Sequence, residues 1–146
     1  MAENIIVRKA NQEDLDGILT LLNRPEADNG QALQGHDANT IYQSILEDSN
    51  YFQIVASSEQ GLTGTLTLVI IVQISHEGSS SALITDMICM DNDDEIAVEL
   101  LKYATKLAEE YGCFKTVVHC DYQQEMTASA CEKLGFKAST DCFVLS

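Results

Sequence analysis

The stretch ALITDMICMDNDDEIAVELLKYATKLAEEY runs from Ala82 to Tyr111. Its first part, Ala82–Met90, is a largely apolar run that reads as a buried strand. Asp91–Glu95 is an acidic turn. From Ile96 to Tyr111 the apolar residues Ile96, Leu100, Leu101, Ala104, Leu107, Ala108 and Tyr111 fall on one helical face, and Gly112 is the expected C-terminal stop. A strand feeding a helix N-terminus is a natural anion site in α/β proteins, because the first-turn N–H groups lack helical partners and the dipole is positive there. Here Asp91, Asp93, Asp94 and Glu95 stand in that position.

Downstream, Phe114–Cys120 reads as a buried strand, so strand, helix and strand should form a right-handed parallel crossover. Met126–Leu134 is a short helix stopped by Gly135, and Phe136–Leu145 is expected to close the sheet. Upstream, Tyr51–Ser57, Leu62–Ile74 and Ala82–Met90 are three successive antiparallel strands. Glu59-Gln60-Gly61 and His76–Ser81 form the turns, and Gly64 suits a bulge. At the front, Ile5–Lys9 is a short strand, and Asn11 with Asp14 forms a near capping box. Leu15, Ile18, Leu19 and Leu22 then line a helix that ends at Arg24-Pro25. Asn23–Asp37 is a long segment of low periodicity, of the kind often functional or mobile. Asp37-Ala38-Asn39 opens a second helix with Ile41, Ile45 and Leu46 as its stripe.

The totals set bounds. A chain of 146 residues with 45% hydrophobic and 21% charged residues fits one globular domain spanning 1–146. No apolar run is long enough to cross a membrane, and Met1–Lys9 lacks the apolar centre of a signal peptide, so a cytoplasmic protein without membrane contact is expected. The five cysteines include no C-x-x-C pair and lack zinc-type spacing with His36, His76 or His119; free thiols in a reducing compartment are expected. Eight Lys and Arg against 23 Asp and Glu give a net charge of −15. Such a surface repels phosphate backbones, which argues against nucleic acid as a partner; it suits cationic partners, or it serves solubility alone.

The element order β-α-α-β-β-β-α-β-α-β resembles that of the GNAT superfamily of acyl-CoA-dependent N-acetyltransferases. Thr85-Asp86-Met87-Ile88-Cys89 resembles the family's E-D-V-V-V run into its fourth strand. Cys131-Glu132-Lys133-Leu134-Gly135-Phe136 is similar to its Y-E-K-L-G-F, and the wording around Gly112–Asp121 is nearest to glucosamine-phosphate N-acetyltransferases. The resemblance implies an α/β (α+β) fold with a mixed, mostly antiparallel twisted sheet of six to seven strands and about four helices. It implies transfer of an acetyl group from acetyl-CoA to the primary amine of a small, cationic acceptor. The alternative is a catalytically inactive GNAT-fold module that binds a different ligand or a basic protein segment. A homodimer is an allowed assembly.

In the family, a turn R/Q-x-x-G-x-G/A cradles the CoA pyrophosphate on backbone amides. The corresponding place here is Asp91–Ala97, so the resemblance puts Asp93, Asp94, Glu95 and Ala97 at the cofactor, with only Ala97 matching the small last position. One like-charge pair ~6 Å apart in water costs roughly 0.7 kcal/mol before screening. Four carboxylates facing a pyrophosphate would weaken affinity by orders of magnitude, on the order of several kcal/mol. A helix capped by Asn92 or Asp93 that binds no anion is the other reading of this turn. In relatives the pantetheine pairs with free main-chain groups of the fourth strand, for which Ile88, Cys89 and Met90 are the local equivalents.

Two catalytic candidates come with the resemblance. Asp86 matches an acidic position that helps place substrate or a base-activated water, or it is a structural carboxylate holding backbone amides. Cys131 stands where relatives often carry a tyrosine that protonates the CoA thiolate; a thiol is a weaker, shorter donor, and a buried apolar role is its other reading. His119 and Cys120 are adjacent on a strand and point to opposite faces, so they form no local nucleophile pair. Asp91-x-Asp93-x-Glu95 hints at a calcium loop, but it lacks the glycine at the sixth position and has Lys102 at the twelfth; no metal is expected.

Overall fold

The structure is a computed structural model and describes residues 4–24, 35–120, 125–139 and 142–145. Its elements are β1 (Ile6–Lys9), α1 (Leu15–Leu22), α2 (Gly35–Glu47), β2 (Tyr51–Ser58), β3 (Gly61–Ile71), β4 (Ser81–Cys89), α3 (Asp94–Glu110), β5 (Lys115–Val118) and α4 (Glu125–Lys133). The strands form a five-stranded sheet in the order β1-β2-β3-β4-β5, antiparallel from β1 to β4 and parallel between β4 and β5. The parallel pairing expected of β4 and β5 across α3 is therefore present. The six to seven strands expected from the sequence are corrected to five among the described residues.

The difference lies at the C-terminal side. Of the expected strand Phe136–Leu145 the described residues belong to no strand, and Phe143, Val144 and Leu145 lie in solvent. Phe114–Cys120, expected to be a buried strand, is shorter (Lys115–Val118) and among the described residues stands last in the sheet, with Val117 exposed. A strand with one neighbour cannot be covered on all sides.

The sheet's two faces hold separate cores. On one, Ile54, Leu66, Leu68, Ile84 and Met87 meet the buried stripe of α3 and Met126 and Ala130 of α4. On the other, Ile18 of α1 and Tyr42 of α2 pack on Val55. Gly64 permits the close approach of α3 to β3: a Cβ there would lie 2.8 Å from Ile96 Cγ2 and 3.0 Å from Leu100 Cδ1. The register of β3 against β2 slips beside Gly64, where Thr63 is the extra residue of a bulge between the pairs Ala56–Gly64 and Ser57–Leu62.

The expected capping box forms. Glu13 N donates to Asn11 Oδ1, Asn11 N donates to Asp14 Oδ2, and Arg8 adds a two-pronged ion pair to Asp14 at 2.6 and 3.0 Å. Tyr42 Oη donates to the Asn11 carbonyl at 2.6 Å and ties α2 to the same corner. Most of the segment Asn23–Asp37 lies outside the described residues. Among the described residues no helix is long and apolar enough to cross a membrane.

Candidate functional site

The site begins where β4 ends. Met90–Asn92 makes a single 3-10 turn in which Asp91 and Asn92 take left-handed conformations (φ 57° and 51°), a region tolerant of Asp and Asn. That turn delivers Asp93 to the N-cap of α3. Its Oδ1 accepts from Glu95 N at 2.8 Å and from Ile96 N at 3.4 Å, and its carbonyl accepts from Ala97 N at 3.2 Å. Two of the first-turn amides that an anion would use, Glu95 N and Ile96 N, are thus engaged by the chain itself.

The other acids of the turn diverge. Asp91 Oδ1 lies 3.3 Å from Arg24. Asp94 accepts from Lys133 Nζ at 3.1 Å and from Ser129 Oγ at 3.0 Å, joining α3 to α4. Those two hydrogen bonds, Lys133 first, hold the Asp94 carboxyl below the ordinary range. Ala97 is fully buried in the core. Because Asp93 turns back on the helix and Asp94 towards α4, no group of three or more His, Cys, Asp and Glu converges among the described residues. The turn, as folded, does not fit a diphosphate: two of its amides are taken, and two cations stand against four carboxylates.

The adjoining backbone is different. β5 pairs with β4 only from Ser81–Lys115 to Ile84–Val118, with His119 N adding one bond to the Ile84 carbonyl at 2.8 Å. β4 continues on β3 as far as Cys89. Its last residues therefore have no strand partner on the β5 side among the described residues. That opening fits an extended amide-bearing chain such as pantetheine. Ile88 and Cys89 sit on this stretch with buried side chains, and Met90 comes next, at the turn. Burial, then the nearby Asp93 and Asp94, pushes the Cys89 thiol far up, so this side chain is inert.

Asp86 sits in a bulge at the middle of this edge. Between the pairs Thr67–Thr85 and Thr65–Ile88, Asp86 and Met87 together oppose Leu66, and Asp86 is exposed with φ 53°. A bulge re-aims a side chain and keeps a strained backbone where a site needs it. Tyr51, raised in pKa chiefly by burial, feels the charges of Asp86 and Asp48 as well. Sequence patterning did not single out a polar strip behind this region. Gln53 Nε2 donates to Thr65 Oγ1 at 2.8 Å, and Thr67 Oγ1 donates to Gln53 Oε1 at 3.2 Å. The alternation Thr63-x-Thr65-x-Thr67, polar at period two within an apolar strand, was the available signal.

Cys131 lies half-buried on α4 against the main core, and burial, with Cys120 adding to it, pushes its thiol up to about 11. His119 and Cys120 come directly after β5, and Asp121 lies outside the described residues.

Solved structures share this architecture. The chain is similar to a transcriptional regulator from Bacillus halodurans C-125, with a TM-score of 0.86, 22% identity, and 98% of this chain and 99% of that one covered. It is similar to the glucosamine-6-phosphate N-acetyltransferase from Arabidopsis thaliana, at TM-score 0.83, 14% identity and 99% coverage of both. A third similar structure is an aminoglycoside N-acetyltransferase in complex with CoA, at TM-score 0.77, 14% identity, with 100% of this chain and 96% of that one covered. By sequence, no family model and no curated protein matches. The fold is that of GNAT-type acetyltransferases.

Proposed function

We propose that this chain moves an acetyl group from acetyl-CoA to the primary amine of a small cationic acceptor, gripping the donor by its pantetheine arm rather than by its pyrophosphate. The observation that carries this reading is the unpaired edge of β4 beyond Ile84, set beside the N-terminus of α3. The fold shared with acetyltransferases supports it, and the net charge of −15 favours a cationic acceptor. A basic protein segment is the larger partner of the same chemistry. Asp86 is the residue for amine placement or for taking its proton through water. Cys131 stays a neutral thiol at pH 7; donating from about 11 to a thiolate of ordinary pKa near 8.5 is uphill by roughly 3 kcal/mol. Its contribution is therefore to pack against the core more than to drive proton return.

A second reading, a binding module without turnover, is favoured by one observation: Asp93 has closed the amides of Glu95 and Ile96. Calorimetric titration with acetyl-CoA and with S-acetylpantetheine separates the two. The transferase reading expects the thioester lacking the nucleotide to bind at least as tightly as acetyl-CoA, and an amine panel to be acetylated. Absence of binding by both thioesters at millimolar concentration would sink it and leave the binding module.

A further inference from the structure

A row of polar side chains crosses the sheet on the face opposite α3. Phe52, Ile54, Leu66, Leu68, Ile84 and Val118 turn into the main core, so Gln53, Thr67, Thr85 and His119, which alternate with them, turn the other way. Gln53 is the cross-strand partner of Thr67, and Thr67 that of Thr85. Ile84 stands opposite Val118, and His119 N donates to the Ile84 carbonyl at 2.8 Å, so His119 comes next to Thr85 in the row. The neighbouring row on this face, Val69, Leu83 and Val117, is apolar.

His119 ends this row at a fork. Among the described residues its bond to Ile84 is the last between β4 and β5, and from Thr85 onward the free edge of β4 begins. An extended pantetheine paired on that edge, with its nucleotide end at the turn after Cys89, brings its thioester end to the fork. His119 is exposed there, Thr85 is half-buried, and Asp86 on the β4 side is exposed. The charge of Asp86 already reaches Tyr51, which turns to this face from β2 with Asp48 nearby. Lys115 lies at the other end of β5. The helices packed on this face bring Asp14 and Tyr42, which are tied to Arg8 and Asn11 at the β1 corner.

We propose that His119 is the proton shuttle of the transfer: its ring takes the proton that the acceptor nitrogen sheds and hands it to the sulfur that leaves. This rests on the transferase reading above. As the lone pair of the amine forms the N–C bond to the acyl carbon, the nitrogen carries one proton too many. The C–S bond breaks with its electron pair on sulfur, which carries one too few. An imidazole serves both ends, since it accepts a proton when neutral and donates one when charged. Passing a proton from an ordinary imidazolium of pKa about 6.5 to a thiolate of about 8.5 is favoured roughly a hundredfold. That is the direction in which the Cys131 thiol fails. The carboxylate of Asp86 favours the ring in its charged form while it holds the proton.

The test uses the full chain and begins without turnover. With three histidines in the sequence, the ring resonance of His119 in a proton NMR spectrum is assigned by its loss in His119→Gln. Adding S-acetylpantetheine is expected to shift that resonance, while His76, stacked on Phe114 in the β3–β4 turn, does not move. With putrescine as acceptor, His119→Gln and His119→Ala should lower kcat at least about a hundredfold, and calorimetric affinity for S-acetylpantetheine should change less than about threefold. The kcat of the parent should rise with pH through an inflection between about pH 5 and 8, as the ring loses its proton. Both variants should lack that inflection, and added imidazole should restore rate to His119→Ala. A His119 resonance that stays fixed when the thioester binds, or a His119→Gln rate within about threefold of the parent, overturns the inference and leaves the transferase reading standing. No binding of either thioester, or binding without turnover by the parent, overturns both.

Discussion

Asp93 does two opposed things with one carboxylate. It stabilises α3 by capping it, and it denies the helix end to an anion. Asp93→Ala should therefore lower the melting temperature by about 4 °C, the equivalent of about 1 kcal/mol, while raising acetyl-CoA affinity up to about tenfold. Calorimetry reads both, and a loss of stability without a gain in affinity would show that the freed amides are not used. Asp86→Asn isolates charge from conformation, since Asn tolerates the left-handed backbone as Asp does. Stability should change by less than ~0.5 kcal/mol while acceptor turnover falls, and unchanged turnover removes Asp86 from the chemistry. The corner at Asp14 makes a pH prediction. The hydrogen bonds from Arg8, with help from Asn11 N, hold the Asp14 carboxyl below its ordinary range despite its burial. A depressed folded-state pKa contributes stability that is present above the unfolded value of about 3.9 and is lost as pH falls through the folded value. Arg8→Met should thus cost roughly 1–3 kcal/mol at pH 7, with the gap to the parent closing in strong acid. A penalty that is the same in acid as at neutrality would mean the loss is packing alone.

Among the elements, α3 shows how far local pattern reaches. Its apolar face, its stop near Gly112 and its crossover between two parallel strands were legible because each depends on periodicity within a short window. The structure adds Asp94 and Glu95 to its first turn, which the acidic text had disguised as loop. Gly64 was legible as a bulge partner but its second task, letting Ile96 and Leu100 approach β3, requires knowing which helix lies above it. Gly64→Ala is expected to cost about 1–3 kcal/mol, read as a lower denaturant midpoint at unchanged slope, because the Cβ would meet two side chains and the Ile88 carbonyl at 3.2 Å. The bulge at Asp86 and Met87 was not legible, since nothing in Thr85-Asp86-Met87-Ile88 says which residue will face two. The last strand is missing among the described residues for a related reason: Phe136–Leu145 has strand text, but a strand exists only with a partner, and local text does not name one.

At the scale of the whole molecule, the field decides what approaches. A net charge of −15 on 146 residues surrounds a stretch from β4 into α3 that itself carries Asp86, Asp91, Asp93, Asp94 and Glu95, relieved by Arg24 and Lys133. Any anionic ligand must come in against that potential, and a cationic one is drawn along it. Screening acts on the two in opposite directions, since the Debye length shrinks from about 30 Å at 0.01 M to about 10 Å at 0.1 M. Raising sodium chloride over that range should tighten acetyl-CoA and weaken a diamine or triamine acceptor. S-acetylpantetheine, which lacks the phosphates, should barely respond. The contrast between the two thioesters is the sharper part of the test, because it isolates the nucleotide end. An ordinary phosphate cradle loosens with salt, so an acetyl-CoA affinity that falls as salt rises would mean that the turn has opened, Asp93 has left Glu95 N and Ile96 N, and Arg24 and Lys133 have moved from Asp91 and Asp94 to the diphosphate. Tightening with salt, by contrast, would locate the donor's grip in the β4 edge and make the acidic turn a gate against free nucleotides, which carry the phosphates without the pantetheine arm.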